Sequence, residues 1–428
     1  MQKWTSTIVA ILLLNAFLSL LHSCGENEPH GPVPEIYSIN PGGGVIGRNV
    51  TIYGNNFVPE VPMEEGTGPH PNTSIVKFNG IVAEAEHVYQ DSTGKQRINT
   101  VVPEGTTSGP ITVTAMGNTG TSTDDFIVTV PNYLPNVTVS TVSSYGGIDV
   151  DIDDSGNLFL ANNDVYKIFK ILPDGSLTTL WSSREGENEM VLGITLDKNG
   201  NIYATIENTI RKITPDGAVS ILAGNSAPGF ADGPGDSAKF NFPFGITIDL
   251  NGNVYTADFF NNKIRKITPD GIVTTVAGGT QGYSDGQGDH AQFTYPRDIT
   301  LDNEGNLYVT ESDRIRKITP DGFVSTIAGT TNGYLDGSVN TAQFGYIVGI
   351  VVDLSGNIYI CDEGNFVVRK ISGDGTVATV AGSISGLMDG PGEFAQFYHT
   401  LGLTIDSDGA LYLTQGGGFG GVRMIVIE

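Results

Sequence analysis

From residue 137 onward, apolar and polar positions alternate in short bursts of about five residues, and the bursts come in fours. One set reads Gly245-Ile-Thr-Ile-Asp249, Asn253-Val-Tyr-Thr-Ala257, Lys263-Ile-Arg-Lys-Ile267 and Ile272-Val-Thr-Thr-Val-Ala277. Period-two runs of this length, rich in β-branched residues, predict short strands. The breaks between them are Asp-x-x-Gly-Asn and Pro-Asp-Gly, residues suited to positive φ and to side chain–backbone bonds in tight turns. The Gly of Asp-x-x-Gly-Asn falls at 156, 200, 252, 305, 356 and 409, with spacings of 44, 52, 53, 51 and 53; Ala410 replaces the last Asn. Four antiparallel strands per ~50 residues predict one propeller blade per unit. The sixth unit stops after three runs, at Gly421-Val-Arg-Met-Ile-Val-Ile-Glu428, while Val137-Thr-Val-Ser-Thr-Val142 stands ahead of the first unit as a spare fourth strand. The two pieces are predicted to share one blade and close the ring. Closure hides edges that no single sheet can cover.

Residues 33–130 also alternate, in runs such as Val50-Thr-Ile-Tyr53, Ile75-Val-Lys-Phe78 and Ile111-Thr-Val-Thr114, with Gly, Asn and Pro between them. This predicts an Ig-like β-sandwich, joined by a linker at 131–136 to a six-bladed β-propeller at 137–428. The fold class expected is therefore all-β. Pro34-Glu-Ile-Tyr-Ser-Ile-Asn-Pro41, Val50-Thr-Ile-Tyr-Gly54, Val76-Lys-Phe-Asn-Gly80 and Val102-Pro103 resemble the IPT/TIG family, which implies a spacer or interaction module. The strings Ile210 to Gly217, Ile264 to Gly271 and Ile315 to Gly322, read Ile-Arg-Lys-Ile-Thr-Pro-Asp-Gly, resemble NHL repeats.

At the N-terminus, Lys3 precedes an apolar run from Ile8 to Leu21 that is broken only by Asn15 and Ser19. About 14 residues is short for a membrane span, which needs roughly 20, so 1–23 reads as a secretory signal. Leu21-His22-Ser23-Cys24 resembles a bacterial lipobox. That resemblance implies cleavage before Cys24 and acylation of its thiol, with 24–32 as a tether. Acidic residues after Cys24 resemble an export signal of outer-membrane lipoproteins in glycan-foraging bacteria, which implies an outer-membrane anchor facing the cell exterior; the alternative is a solvated tether.

Charge narrows the partners. The chain carries 22 Lys+Arg against 47 Asp+Glu, a net charge of −25. Such a surface repels phosphate, so no nucleic acid is expected as a partner. With Cys24 acylated, Cys361 is the one remaining thiol and no intrachain disulfide is expected.

Candidate chemistry comes from differences between the units. Gly245 aligns with Asp149, Gly193, Asp298, Gly349 and Gly402, and Phe244 with Ile148, Leu192, Arg297, Val348 and Leu401. A six-fold ring sets units one and four opposite, so Asp149 and Asp298 are expected across the channel mouth, with Asp151 deeper. The alternative is a structural Arg297–Asp pair. Four units carry an insertion before their first strand: Gly229 to Phe240, Gly282 to Phe293, Gly333 to Phe344 and Gly386 to Phe397. Asp232/Asp236 and Asp285/Asp289 offer hard oxygens there, but Asn340 breaks the pattern, and Asp-Gly turns with wedged Ala and Phe are favoured over a metal loop. Aromatic residues gather at the same end, among them Tyr295, Tyr346, Tyr398 and Phe259. Flat rings stack on sugar faces while Asp and Arg bond hydroxyls. The ligand-binding set expected is Arg297, Asp298, Asp149, Tyr295, Tyr346, Tyr398 and Phe259. Asp258, Glu311 and Asp362 are expected to pair with Arg265, Arg316 and Arg369.

Only His290 and His399 of the six His fall in the repeats, too few for the zinc lyases found among NHL-like propellers. No Gly-x-Ser-x-Gly has a usable His partner, and no cofactor is implied. The reading is a surface lipoprotein that captures a glycan on the loop face of its propeller. Two alternatives stay open: a glycoside hydrolase or lyase using Asp149, Asp151 and Asp298, and a protein-binding adaptor.

Overall fold

The computed structural model describes residues 33–40, 43–44, 49–57, 70–71, 74–83, 85–90, 95–115, 118–128, 131–416 and 420–428. The signal segment, Cys24 and the tether lie outside them. The chain divides into two compact units, Met1–Thr129 and Val130–Glu428.

In the first unit, alternation becomes a sandwich. One sheet orders Glu35–Asn40, Asn49–Asn55, Gln96–Val101, Ala85–Gln90 and His70–Pro71; the other orders Gly43–Gly44, Asn118–Val128, Gly109–Ala115, Ile75–Phe78 and Ile81–Ala83. Gly109–Ala115 buries every second side chain, as a strand with one face on a core must. Ile52, Phe78, Ile98, Ile111, Val113 and Phe126 fill the space between, with Phe78 edge-on to Phe126 at 5.0 Å.

Among the described residues the second unit holds six antiparallel sheets, five of them built on four consecutive strands and the sixth on three plus a strand from the start of the unit. Their first strands are Asp149–Ile152, Val191–Leu196, Pro243–Ile248, Ile299–Leu301, Ile347–Val352 and Thr400–Ile405. Each first strand packs on those of the sheets before and after it, and the sixth returns to the first. In the sixth sheet the outer strand is Val137–Ser143, antiparallel to Val422–Ile427.

The Asp-x-x-Gly-Asn turns recur with the same bonds. In the third sheet Asp249 Oδ1 accepts the N–H of Asn251 and of Asn253 (2.9 and 2.8 Å), Asp249 Oδ2 accepts from Asn253 Nδ2 (2.7 Å), and Gly252 takes φ 81°. Between sheets, the insertions wedge in Ala238 and Phe240, Ala291 and Phe293, Ala342 and Phe344, and Ala395 and Phe397, all fully buried. Each Phe ring lies under a buried guanidinium of the same sheet, at 4.9 Å for Phe240–Arg265 and 5.0 Å for Phe293–Arg316.

The insertions also reach the outer edges. Gly286-Gln287, Gly337-Ser338 and Gly390-Pro391 each add a fifth strand beside an outer strand, and Gly233 bridges Val273. A large part of each insertion is thus spent on the rim of the ring, away from the channel, which removes it from the expected binding face.

Candidate functional site

The entries of the six first strands converge on one narrow throat. Reading round the ring, the residues at this level are Asp149, Gly193, Gly245, Asp298, Gly349 and Gly402, an Asp-Gly-Gly triplet used twice. The glycines are steric. A Cβ on Gly245 would stand 2.3 Å from Asp298 Oδ1 and 2.5 Å from Asp298 Cα; one on Gly402 would stand 2.5 Å from Asp149 Oδ1. Space for a side chain exists only after Asp149 and after Asp298, and both carboxylates fill it in the same way.

Each carboxylate straps its own strand to the next one. Asp149 Oδ1 accepts the Val150 N–H (2.9 Å) and Oδ2 the Ile194 N–H (2.8 Å). Asp298 Oδ1 accepts the Ile299 N–H (2.8 Å) and Oδ2 the Ile350 N–H (2.9 Å). Asp151, one pleat deeper, accepts from Ile152 N–H (2.8 Å), Leu196 N–H (2.8 Å) and the Thr404 hydroxyl (3.2 Å). Burial pushes the Asp298 and Asp151 carboxyls up to about 6, against the pull of those N–H donors. Burial, and then the Asp298 charge, hold Asp149 well above the usual carboxylate range. Asp149 and Asp298 line the same cavity, with Ile148, Leu192, Phe244 and Leu401 around them. Its ≈20 Å³ leaves room for about one water molecule. A sugar ring does not fit between the two carboxylates, and their oxygens are already engaged by backbone donors.

Above the throat lies an aromatic patch on the third to fifth sheets. Phe259 stacks on Tyr295 (5.1 Å, 27°) and meets Phe244 at 5.2 Å. Phe260 and Phe242 complete the group at 5.7 Å from each other. The Arg297 guanidinium lies over Phe244 (5.1 Å) and Tyr346 (5.3 Å) and donates to the Tyr346 hydroxyl at 2.7 Å. It forms no ion pair with Asp298 among the described residues, so the expected alternative of a structural Arg297–Asp pair is not what holds it. Tyr295 and Tyr346 keep 42% and 40% of their surface exposed.

Five of the seven expected residues thus gather at or around this patch or its floor: Arg297, Asp298, Tyr295, Tyr346 and Phe259. Asp149 sits on the opposite wall of the throat. Tyr398 is exposed but stands apart, against the His399 ring at 4.3 Å. The repeat explains it. Counting from the wedge residues Phe240, Phe293, Phe344 and Phe397, the position of Phe242, Tyr295 and Tyr346 is occupied in the sixth unit by His399, one place after Tyr398. His399 Nδ1 bonds Glu363 (2.9 Å). Phe242, Tyr295 and His399 have φ of 60°, 54° and 46°, a region that bulky residues rarely adopt. Asn208 Oδ1 and Asn262 Oδ1 hold the first two there by accepting their N–H groups (2.9 and 2.8 Å). Phe244 and Phe260 belong to the patch although the expected set omits them; the signal was the doubled Phe259-Phe260 beside Phe242-Pro-Phe244.

Other candidates resolve differently. Arg265 binds Asp258 and Asp232, each at 2.7 Å; Arg316 binds Glu311 and Asp285, and Arg369 binds Asp362 and Asp336. These are the in-sheet pairs expected for the first acid of each set. Asp232 and Asp285, offered as hard oxygens for a metal, are thereby engaged by arginines. Phe230 and Tyr283 lie over Lys263 and Arg314 (4.9 and 4.3 Å), and Tyr334 is buried over Arg369. The lead aromatic residues of the insertions therefore pack on sheet cations.

Comparison with known proteins places this geometry. Residues 34–130 match the IPT/TIG domain. Over 214 residues, 42% of this chain, the sequence is 28% identical to teneurin-3 of Mus musculus, and the match covers 8% of that protein. Over 120 residues, 26% of this chain, it is 32% identical to NHL repeat-containing protein 2 of Bos taurus, covering 16% of it. The chain spans only a small part of the length of these relatives. Among solved structures, a protein of unknown function from Bacteroides thetaiotaomicron superposes over 94% of this chain and 99% of its own, with TM-score 0.54 and 20% identity. An auxiliary nutrient binding protein from Bacteroides ovatus does so over the same shares, with TM-score 0.54 and 15% identity. The chain thus joins an IPT/TIG domain to an all-β body with an NHL-repeat relative, in a fold that these Bacteroides proteins share.

Proposed function

We propose that the chain is a ligand-capture protein of the cell surface, in which the six sheets form a six-bladed propeller and the ligand, a glycan, lies on the aromatic patch beside the throat. The observation that carries this reading is the exposed Tyr295, stacked on Phe259, and the exposed Tyr346, with the Arg297 guanidinium between Phe244 and Tyr346. Rings present apolar faces to pyranose C–H groups, and a guanidinium with free donors bonds ring hydroxyls or a uronate. A nutrient binding protein among the fold neighbours supports capture as the task. Cys24, acylated after signal cleavage, would tether the protein to the outer membrane facing outward, with the sandwich as spacer.

The hydrolase alternative, resting on Asp149, Asp151 and Asp298, is disfavoured by backbone donors on their oxygens and by a cavity of one-water size. Affinity electrophoresis against a polysaccharide panel tests the proposal. Retardation by at least one glycan without release of reducing ends is expected, and Tyr295→Ala and Arg297→Ala are expected to abolish it. Retardation that survives both substitutions removes the patch as the site, and released product restores the enzyme reading.

A further inference from the structure

Two outer edges of the ring lack the cover that the other four have, and only one of them keeps the arginine that goes with it. In the third to sixth sheets the insertion lays an Asp-Gly pair along the outer strand. Gly233, Gly286, Gly337 and Gly390 stand opposite Val273, Val324, Val377 and Val139. Val273 exchanges both backbone hydrogen bonds with Gly233, at 2.8 and 2.9 Å. The Asp before each Gly reaches a buried arginine: Asp232 to Arg265, Asp285 to Arg316, Asp336 to Arg369 and Asp389 to Arg423. Asp232 also accepts the Thr275 N–H at 3.1 Å.

The first sheet has neither part: Phe169 stands where Arg265 does, and no insertion precedes the sheet. The second sheet is mismatched. It keeps the arginine, Arg211, but the connection before it is too short to cross to the outer strand Val219–Ala223. Arg211 has one carboxylate, Glu189, where Arg265, Arg316 and Arg369 have two. Glu189 aligns with Asn241 and replaces the inner acid of the Asp258 kind, whose place in this sheet is held by Ile206. Glu189 takes both Nη1 and Nη2 of Arg211 and Thr209 accepts from Nε, which leaves two of the five guanidinium N–H groups without a partner among the described residues. No strand among the described residues pairs with the free side of Val219–Ala223. Val219 is 46% exposed, while its equivalents Val273, Val324 and Val377 are fully buried, and Ile221 is 60% exposed. Beside this edge runs a groove of ≈760 Å³ lined by Trp181, Glu189, Arg211, Val219 and Ile221.

We propose that this edge docks an extended Asp-Gly segment of another polypeptide, with Gly opposite Val219 and the Asp carboxylate on Arg211 and the Ile221 N–H. The chain itself provides the template four times over. Edge pairing supplies the main-chain bonds, and the guanidinium supplies selection for the acid.

The probe is a labelled dodecapeptide with the sequence of residues 282–293, Gly-Tyr-Ser-Asp-Gly-Gln-Gly-Asp-His-Ala-Gln-Phe, titrated against the full chain by fluorescence anisotropy. Saturable binding is expected, weakened about tenfold or more when the peptide's first Asp is changed to Asn. Val219→Pro, which removes the N–H, is expected to abolish it. Ile221→Glu alters an exposed side chain and leaves the backbone intact, so it keeps the test valid if Val219→Pro misfolds; it too is expected to weaken binding about tenfold. Tyr295→Ala is expected to leave peptide binding unchanged, which separates this edge from the aromatic patch. No saturable binding at millimolar peptide overturns the proposal. So does binding indifferent to both Ile221→Glu and the Asn peptide, or a dimer that Ile221→Glu dissolves while the peptide fails to bind.

Discussion

Replacing Asp298 by Asn should make the protein's stability less dependent on pH, in a direction the throat dictates. In the folded state burial lifts the Asp298 carboxyl from its ordinary 3.8 to about 6. The folded carboxyl holds its proton more tightly than the unfolded one, so between pH 4 and 6 the folded state binds more protons and stability falls as pH rises through that window. The interval from 3.8 to about 6 corresponds to about 3 kcal/mol. Asp298 keeps some exposure at the mouth, so about 2–3 kcal/mol is expected after screening. Asn does not titrate. Its amide meets one backbone N–H badly, either that of Ile299 or that of Ile350, but this cost is the same at every pH and cancels from the comparison. Urea or thermal unfolding of wild type and Asp298→Asn at pH 4, 5, 6 and 7.5 gives the stability difference at each pH. The variant should gain about 2–3 kcal/mol on wild type between pH 4 and pH 7.5, on the order of 6 °C in Tm for a unit of this size. A difference that stays flat over that range refutes a carboxylate whose burial outweighs its two backbone donors.

Gly245→Ala should be among the most damaging small changes in the chain, because its Cβ meets Asp298 and the Arg297 carbonyl at 2.9 Å or less. A loss of about 3 kcal/mol or failure to fold is expected by circular dichroism, and Gly245→Ala/Asp298→Gly should recover part of it. Arg316→Met leaves Glu311 buried without its cation and should cost about 3–5 kcal/mol in denaturant unfolding, while Arg316→Met/Glu311→Leu should regain most of that. Ser140→Pro removes a ladder bond to Met424 in the closing sheet and should lower the Tm of the second unit by several degrees with little effect on the first, read as separate calorimetric transitions.

How much of this was legible in the sequence depends on how local the cause is. Asp-x-x-Gly-Asn writes its turn within five residues, so every sheet can be located from it. The pairing of Val137–Ser143 with Val422–Ile427 was legible because one unit lacked a strand and a matching one stood spare. The acid–arginine pairs could be read because Asp258 and Arg265 share a hairpin. The path of the insertions was not: the pairing of Gly286 with Val324 joins segments 38 positions apart (324 − 286), and no local pattern encodes it. Tyr398 stands one place before His399, which holds the position of Tyr295 and Tyr346 in the sixth unit, a distinction that only the distance from Phe397 shows. The departures at Asp149 and Asp298 were visible as residues, but their reason, that a Cβ fits at only two of six entries, lies in spacing between strands that no single unit contains.

The strand that completes the sixth sheet is drawn from 290 positions earlier in the chain (427 − 137). During synthesis the first five sheets can form in turn, but the side of Val137–Ser143 that pairs with Val422–Ile427 must stay unmated until those residues have been made. A prematurely stopped product would therefore carry two sticky borders at once, one on each side of the gap, and would present itself to proteases and chaperones as unfinished. Closure of this ring is therefore gated by the arrival of Val422–Ile427, after the other five sheets have been made.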